Sequence, residues 1–329
     1  MNNAVILASG SHVPDRVLPN SYFDELLGQD VSTWLEENVQ IYERRWCSEG
    51  ESVADLCLAA ARKTLEKAGT SPEELDLLII ATDTPEYVSP STASKVQHLL
   101  GAKNAGTFDL NSACAGFVTA LDVASKYIRA DEQYQKVLVI GAYAMSRYLN
   151  LQDKKTVTLF ADGAGAVLLG AEPDSQRGFL ASKLQTQGQY HDWMGIYAGA
   201  SCQPVTPQVL EQQTHKLQFI KKFPPELNGD MWSGMALDLC EKTGQYPGDV
   251  AQYFITQLNI NSIYETMDKL ELPRERAHTV MHRYGYTGSA CIPMAFDDAM
   301  QQGKLRPGDV VFFIGSGGGL AFASAAFRL

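Results

Sequence analysis

The segment Phe108-Asp109-Leu110-Asn111-Ser112-Ala113-Cys114-Ala115-Gly116-Phe117 carries a single thiol where a short apolar run gives way to a helical pattern. Cys114 therefore falls near a helix N-terminus. There, unpaired backbone N–H groups and the positive end of the helix dipole favour thiolate, the form that attacks an acyl carbon. Ala113, Ala115 and Gly116 are small enough to let a second backbone or a slender acyl thioester come close. The same stretch also fits a buried cysteine used as a small hydrophobe.

The elements that would position this thiol alternate in type. Gly106 to Leu110 reads as a buried strand, and Phe117, Leu121, Ala124 and Ile128 recur at helical spacing after it. Before it come a strand at Ala4 to Gly10, an amphipathic helix at Glu51 to Ala68, a strand at Leu75 to Thr82 and a helix at Ser91 to Leu100. After it come a strand at Lys136 to Gly141 and, from Thr156 to Gly170, a strand pair turning at Gly163 and Gly165. The pattern then repeats, with strands at Gly178 to Leu184, Val250 to Thr256, Asp309 to Gly315 and Leu320 to Arg328. Helices at Asp230 to Lys242, Ile260 to Leu270 and Ser289 to Gln302 alternate with them. Such alternation implies parallel strands with helical crossovers. Between the halves, residues 185–225 are polar and irregular, as surface loops are.

Composition narrows the function. The chain has 329 residues, 45% of them hydrophobic, ample for a large core. No apolar run is long enough to span a bilayer and no secretory leader is evident, so the expected location is the cytoplasm. The six cysteines have no metal-ligand spacing and none pairs as Cys-x-x-Cys, which fits a reducing compartment and implies no metal. A formal charge of −11 argues against general binding to nucleic acid or to an anionic membrane.

The Cys114 segment resembles the nucleophile turn of the β-ketoacyl-acyl-carrier-protein synthase III (KAS III) branch of the thiolase superfamily. The likeness covers nearly the whole chain: Ile6-Leu7-Ala8-Ser9-Gly10-Ser11, Trp34 before Tyr42-Glu43-Arg44-Arg45, Ala81-Thr82-Asp83-Thr84, Phe160-Ala161-Asp162-Gly163-Ala164-Gly165-Ala166 and Gly315-Ser316-Gly317-Gly318-Gly319 follow the family's order. The resemblance implies an α/β thiolase-like fold, with two duplicated β-α halves in five αβαβα layers. Residues 1–172 would form the half carrying the nucleophile, and 173–329 the half carrying the other site residues and the glycine loop. It also implies a homodimer, and a coenzyme A or phosphopantetheine thioester as substrate with no further cofactor. Acyl-coenzyme A or an acyl carrier protein would be the partner.

Residue by residue, the resemblance makes Cys114 the nucleophile and Gly318 a backbone donor to the oxyanion. Residues 315–319 equally suit a tight turn between strands. Trp34 matches the residue that stacks on the coenzyme A adenine, with Lys154 as a phosphate contact, although Asn38 stands where a basic partner is expected. Gly234 and Ser262 replace carrier-docking basic residues, leaving Lys216, Lys221 and Lys222 as a local basic cluster or a solvated loop. Phe160 lies in the matching motif and is placed with the substrate-binding residues. Ser89 replaces a bulky aromatic at the tunnel end, which implies acyl groups longer than acetyl. The sequence departs from the family at the two positions that assist decarboxylation: Gln257 stands for the catalytic histidine and Tyr286 for the asparagine. Neither is a general base near neutral pH, so thiolate formation would rest chiefly on the helix terminus. His282, four residues before Tyr286, is a relocated base or an ordinary surface or core histidine; Asn259 and Asn261 are nearby amides.

These residues point to an acyltransferase of specialised or fatty-acid-related metabolism that forms an acyl-Cys114 intermediate and passes it on without decarboxylation. A condensing enzyme with a rearranged site, and a non-catalytic subunit paired with a homologous synthase, are the alternatives.

Overall fold

The computed structural model describes residues 2–329. Five strands, β1 (Asn2–His12), β2 (Leu77–Ala81), β3 (Gly106–Leu110), β4 (Lys136–Ala144) and β5 (Asp162–Pro173), form one sheet in the order β1-β5-β4-β2-β3. β5 runs antiparallel to both neighbours, while β2 is parallel to β3 and β4. A second sheet takes β6 (Gly178–Thr186), β7 (Val250–Ile255), β8 (Val310–Gly317) and β9 (Ala321–Arg328) in the order β7-β8-β9-β6. There β9 is the antiparallel member and β7 pairs parallel with β8. A parallel bridge from Tyr253 to Ala277 on the free edge of β7 stands where β3 stands in the first sheet. Both sheets therefore share one strand order and one pattern of directions.

Helices α1 (Val53–Ala68) and α2 (Thr92–Leu100) cover the outer face of the first sheet; α3 (Gly116–Ala130) and α6 (Cys291–Gln301) lie between the sheets; α4 (Leu227–Thr243) and α5 (Ile260–Lys269) are on the second sheet's side away from them. This gives five layers. Successive side chains of a strand reach opposite faces, so a sheet covered on both sides needs apolar residues at every position. β2 reads Leu-Leu-Ile-Ile-Ala and is buried throughout. Its Leu77, Ile79 and Ala81 join the core between the sheets, whereas Leu78 and Ile80 pack under α1 and α2. α1 begins at a capping box, with the Ser52 N–H donating to Asp55 Oδ2 at 2.8 Å, and ends at Gly69 in the left-handed conformation, φ 60°.

The other expected elements are present, but residues 156–170 correct the expectation. They hold no strand pair: a helical turn, Lys154–Val157, leads into the single strand β5. Gly163 and Gly165 make room for α6 instead of turning the chain, since a Cβ on Gly165 would lie 2.8 Å from the Met294 backbone nitrogen. Gly315 and Gly317 likewise end β8, and the turn begins only at Gly318. Among the described residues no helix is long and apolar enough to cross a membrane.

Candidate active site

β3 delivers the chain to Cys114 through a tight turn whose hydrogen bonds are local. The Ala113 N–H donates to Asn111 Oδ1 at 2.9 Å, the Ala115 N–H to the Ser112 carbonyl at 3.1 Å and the Gly116 N–H to the Ala113 carbonyl at 2.9 Å. Ala113 takes φ 45°, a left-handed conformation that side chains disfavour, and this sets Cys114 just ahead of α3. From the other sheet, the end of β8 presses against the turn. A Cβ on Gly317 would lie 2.5 Å from the Cys114 nitrogen, and one on Gly315 would lie 3.0 Å from the Ala115 Cα. The glycines of β8 are thus required by close approach to the thiol's own backbone, with Gly318 following at the cavity wall.

Cys114 is 3% exposed and opens on a cavity of about 250 Å³. Asp83, Asn111, Tyr143, His191, Met194 and Gly318 are among its walls, and Met145, Ile196 and Leu217 add apolar surface. Burial pushes the Cys114 thiol well above its ordinary range, the charge of Asp83 pushes it further, and the Tyr286 hydroxyl, which donates to the sulfur, works the other way. The expectation that the helix terminus would leave a ready thiolate is therefore corrected, because desolvation dominates.

Asp83 follows β2 at the carboxyl end of three parallel strands, where open α/β sheets hold their ligands. Its neighbours are pinned: the Thr82 N–H donates to the Leu110 carbonyl at 3.1 Å, the Thr84 N–H to Thr82 Oγ1 at 3.1 Å and the Ala144 N–H to Thr84 Oγ1 at 2.9 Å. Asp83 Oδ1 is out of solvent without a hydrogen-bond partner, and burial raises the carboxyl to about 6.

The structure brings some of the sequence-derived residues together and disperses others. Cys114 and Gly318 share the cavity. Tyr286 sits beside the sulfur, backed by Phe160 at 5.3 Å between ring centroids and held by its N–H donating to the Leu159 carbonyl at 2.8 Å. Phe160 is 2% exposed and packs behind Tyr286 and Tyr143, so it supports the site's wall instead of lining the cavity as expected. Gln257 is fully buried with its amide already used: Nε2 donates to the His278 carbonyl at 3.1 Å, while Oε1 accepts from Val280 N–H at 2.8 Å and Met281 N–H at 3.2 Å. Asn259 caps α5, accepting from the Asn261 N–H at 3.0 Å, and does not reach the site. His282 lines a separate cavity with His278, Arg283 and Asp298, which corrects its reading as a relocated base for Cys114. The helical turn Met281–Tyr284 buries Met281 and leaves His282 half-buried on the far side.

Trp34 is 53% exposed, as stacking would require. Lys154 is exposed with Nζ 3.4 Å from Gln29 Oε1, and Ser89 is exposed on a loop that does not line its own chain's cavity. Asp83, Tyr143 and His191 were missed as site residues. Asp83 stood inside a quoted motif without a sign of which of its residues faces the thiol, and His191 lies in the irregular segment, which supplies one wall of the cavity. Among the described residues no group of three or more His, Cys, Asp and Glu could hold a metal.

A cysteine at the head of a helix held between two sheets of matching topology, under a glycine strand from the second sheet, defines a protein of the thiolase fold. The family profile of 3-oxoacyl-[acyl-carrier-protein] synthase III matches residues 108–188, and the profile of that family's C-terminal part matches residues 240–329. The β-ketoacyl-[acyl-carrier-protein] synthase III of Roseiflexus sp. strain RS-1 is 36% identical over 99% of this chain and 98% of its own. That of Clostridioides difficile strain 630 is 33% identical over the same shares. The crystal structure of 3-oxoacyl-[acyl-carrier-protein] synthase III from Aquifex aeolicus VF5 superposes with a TM-score of 0.89 at 30% identity, covering 99% of this chain and all of that one. The chain belongs to the 3-oxoacyl-[acyl-carrier-protein] synthase III family.

Proposed function

We propose that the protein is an acyltransferase that loads an acyl group from a coenzyme A or carrier-protein thioester onto Cys114 and passes it to an acceptor without decarboxylating a malonyl partner. The observation that carries this reading is the state of the two departing positions. The Gln257 amide is spent on the backbone of residues 278–281, and the Tyr286 hydroxyl is turned to the sulfur. No free pair of side-chain donors then faces the cavity at these positions to stabilise an enolate oxygen.

In the first half-reaction the Cys114 sulfur attacks the thioester carbonyl and the donor leaves as its thiol. In the second, an oxygen, nitrogen or activated carbon of the acceptor attacks the acyl-cysteine, the C–S bond breaks and the thiol returns. The backbone N–H groups of Cys114 and Gly318 hold the tetrahedral oxyanion in both steps, a pair whose loss typically costs ~3 kcal/mol per donor. Trp34 stacks on the donor's adenine and Lys154 meets its phosphates when coenzyme A is the carrier. The enzyme works in the cytoplasm as a homodimer in which the Ser89 loop of one copy ends the acyl pocket of the other, and acyl groups longer than acetyl are accepted.

Intact-mass spectrometry after incubation with acyl-coenzyme A and acyl-carrier thioesters tests this, alongside Cys114→Ala and an assay of carbon dioxide release from malonyl thioesters. A gain of one acyl mass, lost in Cys114→Ala, without carbon dioxide release is the expected result. Carbon dioxide release would make the protein a condensing enzyme, and no adduct from any donor would make it a non-catalytic subunit.

A further inference from the structure

The chain lacks the family-matching histidine, yet each half-reaction moves a proton at the sulfur. The cavity holds a carboxylate to which no other residue donates a hydrogen bond. Asp83 Oδ1 is buried without a partner, on a turn fixed by Thr82 and Thr84, in the same cavity as Cys114. A buried unpaired acceptor is a cost to the fold, and such groups persist where they serve a function. The residues lining the cavity include no lysine or arginine to compensate it.

We propose that Asp83 is the proton carrier of acyl transfer at Cys114, an assignment that rests on the reading of Cys114 as the acyl-bearing nucleophile. On acylation, the Cys114 S–H proton passes to the Asp83 carboxylate as the S–C bond forms, and then to the departing thiolate as the donor's C–S bond breaks. On transfer, the acceptor's proton passes to Asp83 as its O–C, N–C or C–C bond forms, and then to the Cys114 sulfur as that C–S bond breaks. Each cycle returns a carboxylate and a thiol.

The electrostatics agree with transfer during attack and oppose a resting ion. Asp83 and a Cys114 thiolate repel each other, so the sulfur keeps its proton until the carboxylate takes it as the S–C bond forms, and the single negative charge passes from the carboxylate to the tetrahedral oxyanion. Cys114, Tyr143 and Tyr148 are among the titratable groups that feel the Asp83 charge; Glu86 acts on Tyr148 too, and the exposed His191 lines the same cavity. With burial raising its carboxyl to about 6, Asp83 is mostly ionised at neutral pH yet basic enough to accept a proton.

The test compares wild type, Asp83→Asn and His191→Ala by single-turnover acylation followed by intact mass, and by iodoacetamide alkylation read on the Cys114 peptide, both across pH. Asp83→Asn is expected to acylate about 100-fold more slowly or worse, and to lose the rise of rate through pH 6. It is also expected to alkylate at lower pH than wild type, because the repelling charge is gone. His191→Ala tests another titratable group on the cavity wall: whatever it does to the rate itself, the rise of rate through pH 6 should persist in it. A merely structural role would slow both reactions together, and that outcome overturns the proposal, as does wild-type acylation by Asp83→Asn or loss of the rise through pH 6 in His191→Ala alone. Should Asp83→Asn not fold, Asp83→Ser gives the same readouts. If no donor acylates the wild type, the reading of Cys114 has failed instead, and alkylation profiles that coincide would still overturn any action of Asp83 on the thiol.

Discussion

Cys114 and Asp83 make an unstable pair by design of their surroundings: a thiol that resists ionising beside a carboxyl that resists it too, both from burial. The carboxyl's folded pKa, about 6, lies above the ordinary 3.8, so the folded protein holds this proton more tightly than the unfolded chain. The ionised form is therefore a penalty that begins as pH rises past about 4 and is complete above about 6, reaching at most about 3 kcal/mol. Asp83→Asn should accordingly melt higher than wild type at pH 7 to 8, with the two curves meeting near pH 4; a wild type as stable as the variant at pH 8 would contradict it. A residue that destabilises the fold while facing the reactive thiol is what a stability–activity compromise looks like. In the sequence, the substitutions at Gln257 and Tyr286 were legible because they break a pattern. The bonds that occupy Gln257 were not, since they run to backbone atoms 21 to 24 residues away. The carboxyl of Asp83 was equally hidden, because a four-residue motif does not say which side chain the turn aims at the cavity.

Elements were read well where period and length agreed and misread where glycine was taken for a turn. Gly163, Gly165 and Gly317 all lie within strands. Each has its reason across a layer boundary, which sequence spacing does not reveal. At Gly317 the consequence is chemical. Its Cβ would stand 2.5 Å from the Cys114 nitrogen and 2.7 Å from the Ser112 carbonyl oxygen, both backbone atoms that cannot swing away. Gly317→Ala should displace the nucleophile turn, cutting acylation by about 100-fold or more and lowering stability by roughly 1–3 kcal/mol, comparable to other overpacked sites. Gly234→Ala is the matched control. It sits inside α4 with nothing within 4 Å of the added carbon, so it should leave acylation unchanged and raise stability by about 0.5–1 kcal/mol. Parallel acylation and melting measurements on the two variants separate backbone displacement from any general sensitivity to glycine loss.

At the level of the molecule, the alternation of strands and helices announced an α/β protein, but the pairing of two like sheets around α3 and α6 came only through the family likeness. Periodicity describes one element's faces and is silent on which distant element covers them. The covering is held by polar ties as well as by apolar contact. Asp297 of α6 accepts from Ser9 at 2.9 Å, Ser11 at 2.7 Å and Lys67 at 2.7 Å, joining β1 and α1 to a helix of the other half. The Ser89 loop belongs to this scale, since Ser89 is exposed and does not line the Cys114 cavity of its own chain. If two copies share a pocket as proposed, Ser89→Phe should shorten the acyl groups taken up by Cys114 in a chain-length series. In a mixture with Cys114→Ala, the preference should follow the copy that lacks the thiol. An unaltered chain-length profile in Ser89→Phe would remove Ser89 from the pocket.

The register of the first sheet has a consequence for how the protein is made. β1 is synthesised before every other described strand, yet it pairs only with β5, with Asn2 opposite Pro173 and His12 opposite Ala164. At 5 to 20 residues per second, a ribosome keeps that edge waiting for about ten seconds or longer. Gly317 and Gly318, which close on Cys114, follow it by about 200 residues. The nascent chain thus carries its thiol with no glycine backbone of the second sheet opposite it until β8 and β9 are laid down.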